Sequence, residues 1–169
     1  LQEAKKALPM RLLIILSLLL GFTASSLADE LHVVINGKAI HLDAGDYNEK
    51  NWGLGVEYTF TPKDNWIKFL NASYFKDSSY NTSTYLGGGM KRRYRLDDEK
   101  DGWFVDLGAI AFLMTRKDYK DNDPFPGILP FAAIGKGPVT LNMTYIPEVT
   151  PKHKDLLYFQ ILLRVKTFD

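Results

Sequence analysis

The sequence predicts an all-β protein, an eight-stranded antiparallel up-and-down β-barrel that spans a membrane. Three observations carry that expectation. Apolar and polar residues alternate with a period of two along much of the chain after residue 28, which places one set of side chains on each face of a strand. The alternating segments number eight, an even count that suits a barrel closed by hairpins. The gaps between them alternate in length. Short connections at 62–66, 97–102 and 136–139 separate longer ones at 42–51, 78–83, 116–127 and 147–155. Short turns at one rim and long loops at the other are the habit of outer-membrane barrels.

The first strand is expected over 31–41, where the alternation is weak and Asn36-Gly37-Lys38 is itself a hairpin signal. Over 52–61, Leu54, Val56, Tyr58 and Phe60 share one face and Gly55, Glu57 and Thr59 the other. Strands over 67–77 and 84–95 follow, bounded by turn residues. Over 103–115, Val105, Leu107, Ala109, Ala111 and Leu113 oppose Asp106, Gly108, Ile110, Phe112 and Met114. A short strand at 128–135 precedes 140–146, where Leu141, Met143 and Tyr145 oppose Thr140, Asn142 and Thr144. The last, over 156–168, sets Leu157, Phe159, Ile161, Leu163 and Val165 against Tyr158, Gln160, Leu162, Arg164 and Lys166.

Ahead of these strands, "MRLLIILSLLLGFTASSLA" has an arginine, an apolar run from Leu12 to Phe22 and small residues at its end. The run is too short to cross a membrane as a helix and reads as a secretory signal peptide over 10–28. Residues 1–9 read as an upstream extension, and 29–169 as one barrel domain. The leader contains Lys5, Lys6, Arg11 and Glu3, out of 21 basic and 20 acidic residues in all, so a mature chain has a net charge of about −1. That is no field for nucleic acid. The chain has no cysteine, which rules out disulfides as a source of stability.

Charge placement favours a membrane barrel over a soluble sandwich or a lipocalin-like barrel. Glu57, Lys91, Arg93, Arg95, Asp106, Arg164 and Lys166 all oppose the clean apolar face and gather toward the short-turn end. There they are expected to pair. The inward positions nearer the long loops include Ser73, Phe75, Tyr85, Gly87, Gly89, Phe112 and Met114, none of them charged. An eight-stranded barrel has room for side chains or one small ligand, not for an aqueous pore. An acyl chain suits such a cavity. Gly89 is expected to leave space on the inner wall, so that a chain would stop at about its level, above Lys91.

Few residues offer chemistry. Gly87-Gly88-Gly89 lies inside a strand and lacks the strand-turn-helix context of a nucleotide site. His32, His41 and His153 are isolated, and no cofactor or metal is expected. What remains is a hydroxyl with His and Asp support. In "YFKDSSYN" an apolar run ends at Asp77-Ser78, which is either a polar turn or a reactive pair. Strands 1 and 3 both end at the long-loop rim, which brings His41 to the same rim as Asp77 and Ser78. His153 lies in a loop at that rim too and is the competing base.

The segment "TRKDYKDNDPFPGILPFAAIGKGPVTLNMTYIP", together with "YNEKNWGLG" at 47–55 and "FKDSS" at 75–79, resembles the lipid A palmitoyltransferase family, PagP. The resemblance implies a monomeric outer-membrane barrel of a Gram-negative-type bacterium. It implies transfer of a palmitoyl chain from a phospholipid donor to lipid A, with a His-Asp-Ser set at the outer rim. Carried over, Asp77 and Ser78 match the family's Asp and Ser, and His41 stands for its His. Gly89 matches the glycine that floors the family's acyl-measuring pocket. Pro130 and Pro147 match prolines that open a lateral gap for phospholipid, proline having no N–H to give a strand ladder. In the expected mechanism His41 is the general base, Ser78 the hydroxyl and Asp77 the orienting carboxylate. A catalytically silent lipid-binding or structural barrel is the alternative, and a lipid A deacylase a further one.

Overall fold

The computed structural model describes residues 29–43, 45–148 and 155–168. The expected extension, the signal peptide and His153 lie outside the described residues. Eight strands run β1 (Asp29–His41), β2 (Lys50–Thr59), β3 (Trp66–Lys76), β4 (Thr82–Arg95), β5 (Trp103–Thr115), β6 (Phe125–Lys136), β7 (Val139–Ile146) and β8 (Leu156–Phe168). Each pairs antiparallel with its sequence neighbours, and β1 closes on β8, so the sheet is a barrel with strand order β1 to β8.

Closure explains why the alternation is so legible. Inward side chains such as Val34, Phe69, Asp106 and Leu162 are buried, while their neighbours along each strand face out. The outward set contains Leu54, Val56, Leu70, Leu86, Leu107, Leu113, Ile128, Leu141 and Ile161, all exposed. A continuous apolar exterior of this size is fitted to hydrocarbon and not to water. Trp66 and Trp103 border it at the short-turn end, where Arg92 lies 5.9 Å from the Trp66 ring and Lys136 5.7 Å from that of Trp103. Amphipathic rings beside basic heads are the usual companions of a membrane interface. Leu107→Arg, on this band, should destabilise the barrel in lipid vesicles by about 2–4 kcal/mol if its position is near the bilayer midplane. Unfolding in urea measures it, and an effect below about 0.5 kcal/mol would place that face in water.

Asn36-Gly37-Lys38 makes a bulge, not a turn. The β1–β2 register jumps from Asn36↔Gly53 to Lys38↔Lys50, and the β1–β8 register from Asn36↔Gln160 to Ala39↔Tyr158. The extra residue re-aims the strand so that Ala39 points inward and is buried.

The short-turn half of the interior is filled by ion pairs. Lys91 Nζ donates to Glu57 Oε1 at 2.8 Å, Arg93 grips Asp106 through two nitrogens at 2.9 and 2.8 Å, and Arg164 donates to Glu30 at 2.8 Å and Asp101 at 3.0 Å. Arg95 instead turns to the backbone carbonyls of Glu99 and Lys100. Above this belt lies a hydrogen-bonded layer. Asn36 Oδ1 accepts from Tyr158 and Gln160, Asn36 Nδ2 donates to Ser73, and Gln160 Oε1 accepts from Asn142. Buried charges and amides of this kind are tolerated because they satisfy one another.

Candidate functional site

A cavity opens at the long-loop end and descends to mid-barrel. Its open mouth and adjoining solvent included, it spans about 830 Å³ of space between atoms. Its upper lining includes Asp77, Ser78, Arg116 and Leu156, its waist Phe75, Tyr85, Phe112 and Tyr158, and its lower end Phe69, Ile110 and Phe131. Along β3 the stretch from Asp77 down to Phe69 corresponds to about 20 Å of depth, allowing for strand rise and tilt. Asn51, Asn71, Asn142 and Gln160 also line it, so the wall is more polar than the sequence suggested.

Asp77 answers the turn-or-reaction question in an unexpected way. The carboxylate is buried, at 2 % exposure, and its oxygens are occupied. Oδ1 accepts the N–H groups of Ser79 and Asn81, both at 2.9 Å, and Oδ2 accepts the Ser83 hydroxyl at 2.8 Å. Arg116 Nε lies 3.9 Å from Oδ2. Asp77 therefore organises the β3–β4 turn as Asx residues do. In doing so it holds Ser78 at the cavity mouth. The side chain of Ser78 enters no hydrogen bond among the described residues, which leaves its hydroxyl free to meet a substrate or a base.

His41 is the last residue of β1, paired with Leu156. Its ring stacks on Tyr47, with centroids 4.0 Å apart and planes 13° from parallel, and its Nδ1 is buried without a partner. The loop carrying Tyr47 is clasped to the Asp77-Ser78 turn by Asn48. Asn48 N–H donates to Ser78 O at 2.9 Å, and its side-chain amide donates to Asp77 O at 2.9 Å. The fold thus fastens the segment beside His41 to the turn that holds Ser78. No hydrogen bond joins His41 to Ser78 among the described residues, and His41 does not line the cavity.

Arg116 is the functional candidate that sequence reading missed. It lines the cavity mouth beside Ser78, and its guanidinium is held fork-to-fork by Asp118 at 3.1 and 2.8 Å. Ser79 Oγ donates to the same Asp118 at 2.8 Å. Burial works to raise the Asp118 carboxyl, but the Ser79 hydrogen bond and the Arg116 charge outweigh it and hold it below its usual value. Two neighbours of the Asp77-Ser78 pair, Ser79 and Arg116, are thereby locked into one unit. The clue in sequence was an arginine directly after β5, facing the same rim.

Pro130 and Pro147 flank a seam. The β6–β7 ladder runs only from Phe131↔Thr144 to Lys136↔Val139, leaving Phe125 to Pro130 without a β7 partner, while β5 pairs that whole stretch. Pro147 follows directly on the end of β7. At the same rim the β2–β3 ladder also stops, at Gly53↔Phe75. There, however, Asn51 closes the space, accepting from Ala39 N–H at 3.1 Å and donating to Lys76 O at 2.8 Å. Among the described residues, the β6–β7 seam has no such stitch.

Gly89 is on the inner wall of β4, opposite Phe69 of β3. The room its missing side chain leaves is taken by the Phe69 ring: a Cβ there would lie 2.7 Å from Phe69 Cζ and 2.1 Å from Ala109 O.

A family model described as "Antimicrobial peptide resistance and lipid A acylation protein PagP" matches residues 39–161. The protein named "Lipid A acyltransferase PagP" of Cronobacter turicensis is 39% identical over 103 residues, which cover 60% of this chain and 52% of that protein. Its counterparts in Shigella boydii (40% over 103 residues, 60% and 53% covered) and Salmonella typhi (40% over 104 residues, 60% and 52% covered) are similarly related. The chain spans about half the length of the curated relatives it matches. Among solved structures, the Yersinia pestis outer membrane protein Ail aligns with a TM-score of 0.45 at 10% identity, over 80% of this chain and 99% of that one.

Proposed function

The chain belongs to the PagP family, and from that premise we propose that it is an outer-membrane acyltransferase that moves a palmitoyl-type chain from a phospholipid to lipid A. The observation that carries the reading is the cavity that runs from the long-loop rim to mid-barrel, lined at its mouth by Ser78 and the Asp77 that positions it. The lipid-facing exterior supports the location, and a cleaved signal peptide over 10–28 belongs to the same reading. The barrel works as a monomer.

The donor's headgroup stays at the rim while its chain slips through the unladdered half of the β6–β7 seam, between Pro130 and Pro147. Its ester carbonyl then halts beside Ser78. His41 is the general base: it takes a proton from the attacking hydroxyl, whether that of Ser78 or that of lipid A positioned by Ser78. Asp77 holds the turn, and the Arg116 guanidinium faces the charge that builds on the carbonyl oxygen. The acyl carbon gains a bond to the new oxygen as it loses the bond to the phospholipid glycerol oxygen, which leaves with the proton. Where Ser78 is the attacking hydroxyl, a second displacement by the lipid A hydroxyl, deprotonated by His41, forms the new ester as Ser78 Oγ leaves and regains the proton. Gly89 contributes by letting Phe69 lie across the barrel.

Mass spectrometry of lipid A from cells expressing the protein tests the proposal. An added acyl mass is the expected result. A lost acyl mass would make the protein a deacylase, and an unchanged spectrum from a well-expressed barrel would leave only lipid binding.

A further inference from the structure

We propose that Lys68 and Arg92, on the outer faces of β3 and β4, form a binding site for the headgroup phosphate of an anionic glycerophospholipid in the leaflet at the short-turn end. The site needs only the lipid-facing exterior and is independent of acyl transfer.

The alternation along both strands aims the two cations outward. Lys68 and Arg92 are exposed, while Ile67, Phe69 and Lys91 beside them are buried. Trp66 pairs with Arg92 and Lys68 with Met90, so the two basic residues are diagonal neighbours, about 7–8 Å apart at the backbone. The Arg92 guanidinium lies 5.9 Å from the Trp66 ring and 5.5 Å from the Tyr94 ring, which hold it at the interface. Lys68 is two positions along β3 from Trp66, about 5 Å nearer the membrane centre once strand tilt is allowed for. Neither cation forms an ion pair with a carboxylate among the described residues, whereas the inward Lys91 and Arg93 of β4 both do.

A lysine facing lipid on the membrane side of its interfacial tryptophan is costly unless its ammonium reaches a polar group. Its stem is long enough to bend back toward the level of Arg92, where the two heads converge from neighbouring strands. The acceptor a bilayer supplies at that level is a lipid phosphate. The guanidinium offers parallel N–H groups to two phosphate oxygens, and the ammonium adds a point charge beside it. A headgroup with net negative charge suits the pair, whereas a zwitterionic one brings its own ammonium to compete. Leu70, Met90 and Leu107 continue the outer face toward mid-membrane and give the lipid's chains an apolar wall. Lys136, over the Trp103 ring, stands alone by contrast.

The test uses the full barrel refolded in phosphatidylcholine vesicles, with Trp52→Phe and Trp103→Phe in place so that Trp66 is the only tryptophan left to report. Its quenching by phosphatidylglycerol with brominated chains is compared with that by phosphatidylcholine brominated in the same way. The barrel with Lys68 and Arg92 intact is expected to favour phosphatidylglycerol about fivefold. Lys68→Gln and Arg92→Gln should each cut that preference about twofold, and the double variant should bring it to about one. Lys136→Gln should leave it unchanged. The heat-dependent gel shift checks folding, and the two single variants carry the comparison if the double variant does not fold. Equal quenching by the two lipids with both cations present would overturn the site. So would a preference that survives in the folded variants, or one that Lys136→Gln lowers as much, since that would be a response to net charge alone.

Discussion

Ser78→Ala should lower acyl transfer by about 10²–10⁴-fold while leaving a folded barrel, and His41→Ala should do the same. The reasoning turns on how differently the three rim residues are tied down. Ser78 is half-buried and its side chain makes no hydrogen bond among the described residues, so its loss should change stability by less than about 0.5 kcal/mol. His41 contributes a stacked ring on Tyr47 and an unpartnered Nδ1, which costs little to remove. Asp77 is a poor probe by comparison. Asp77→Ala would free two backbone N–H groups and the Ser83 hydroxyl at once, collapsing the turn, so lost activity would say nothing about chemistry. Transfer rates with purified protein in mixed micelles, read beside the heat-dependent gel shift, decide the matter. Full activity in folded Ser78→Ala would remove the hydroxyl from the mechanism. An active His41→Ala beside an inactive His153→Ala would move the base to His153.

The largest effect on stability is expected from Glu57→Ala. It strips the counter-ion from Lys91, whose ammonium is buried 5.2 Å from the centre of the Phe69 ring, and it takes the acceptor from Asn71 Nδ2. Breaking one side of a buried pair typically costs about 3–5 kcal/mol. Replacing both partners by uncharged residues of similar volume, Glu57→Gln with Lys91→Met, should recover most of that loss, because the penalty lies in the orphaned charge. Urea unfolding in lipid vesicles gives both numbers. A single mutant within about 1 kcal/mol of wild type would mean that water reaches Lys91 from below.

Much of this architecture could be read before any coordinates, because a closed barrel makes every strand obey one rule, one face to lipid and one to the interior. β5 and β8 occupy the expected 103–115 and 156–168, where the alternation is long and uninterrupted. β6 was foreseen only from 128 and starts at Phe125. A proline gives a ladder no N–H, and Pro126 and Pro130 are tolerated in β6 because it lacks a β7 partner there. The Asn36–Lys38 bulge carries the composition of a turn, and only the pairing on both sides distinguishes them. At the site, Asp77 and Ser78 were legible as a pair, but their separate duties were not. Whether a carboxylate is already satisfied depends on where Ser79, Asn81 and Ser83 aim their donors. That the Phe69 ring fills the space beside Gly89 was invisible because period-two reading says which face a ring is on, not how far across the barrel it leans.

The ion-paired belt has a consequence for the cell as well as for a lipid. A barrel open at both ends would be a leak, and a cavity deep enough for a chain is most of the way to one. Here the lower half is occupied by charges that neutralise one another, Lys91 with Glu57, Arg93 with Asp106 and Arg164 with Glu30. The molecule is a cup rather than a pipe. Inserted in an insulating bilayer it should carry no ionic current, so the envelope can hold many copies without giving up its osmotic and electrical seal.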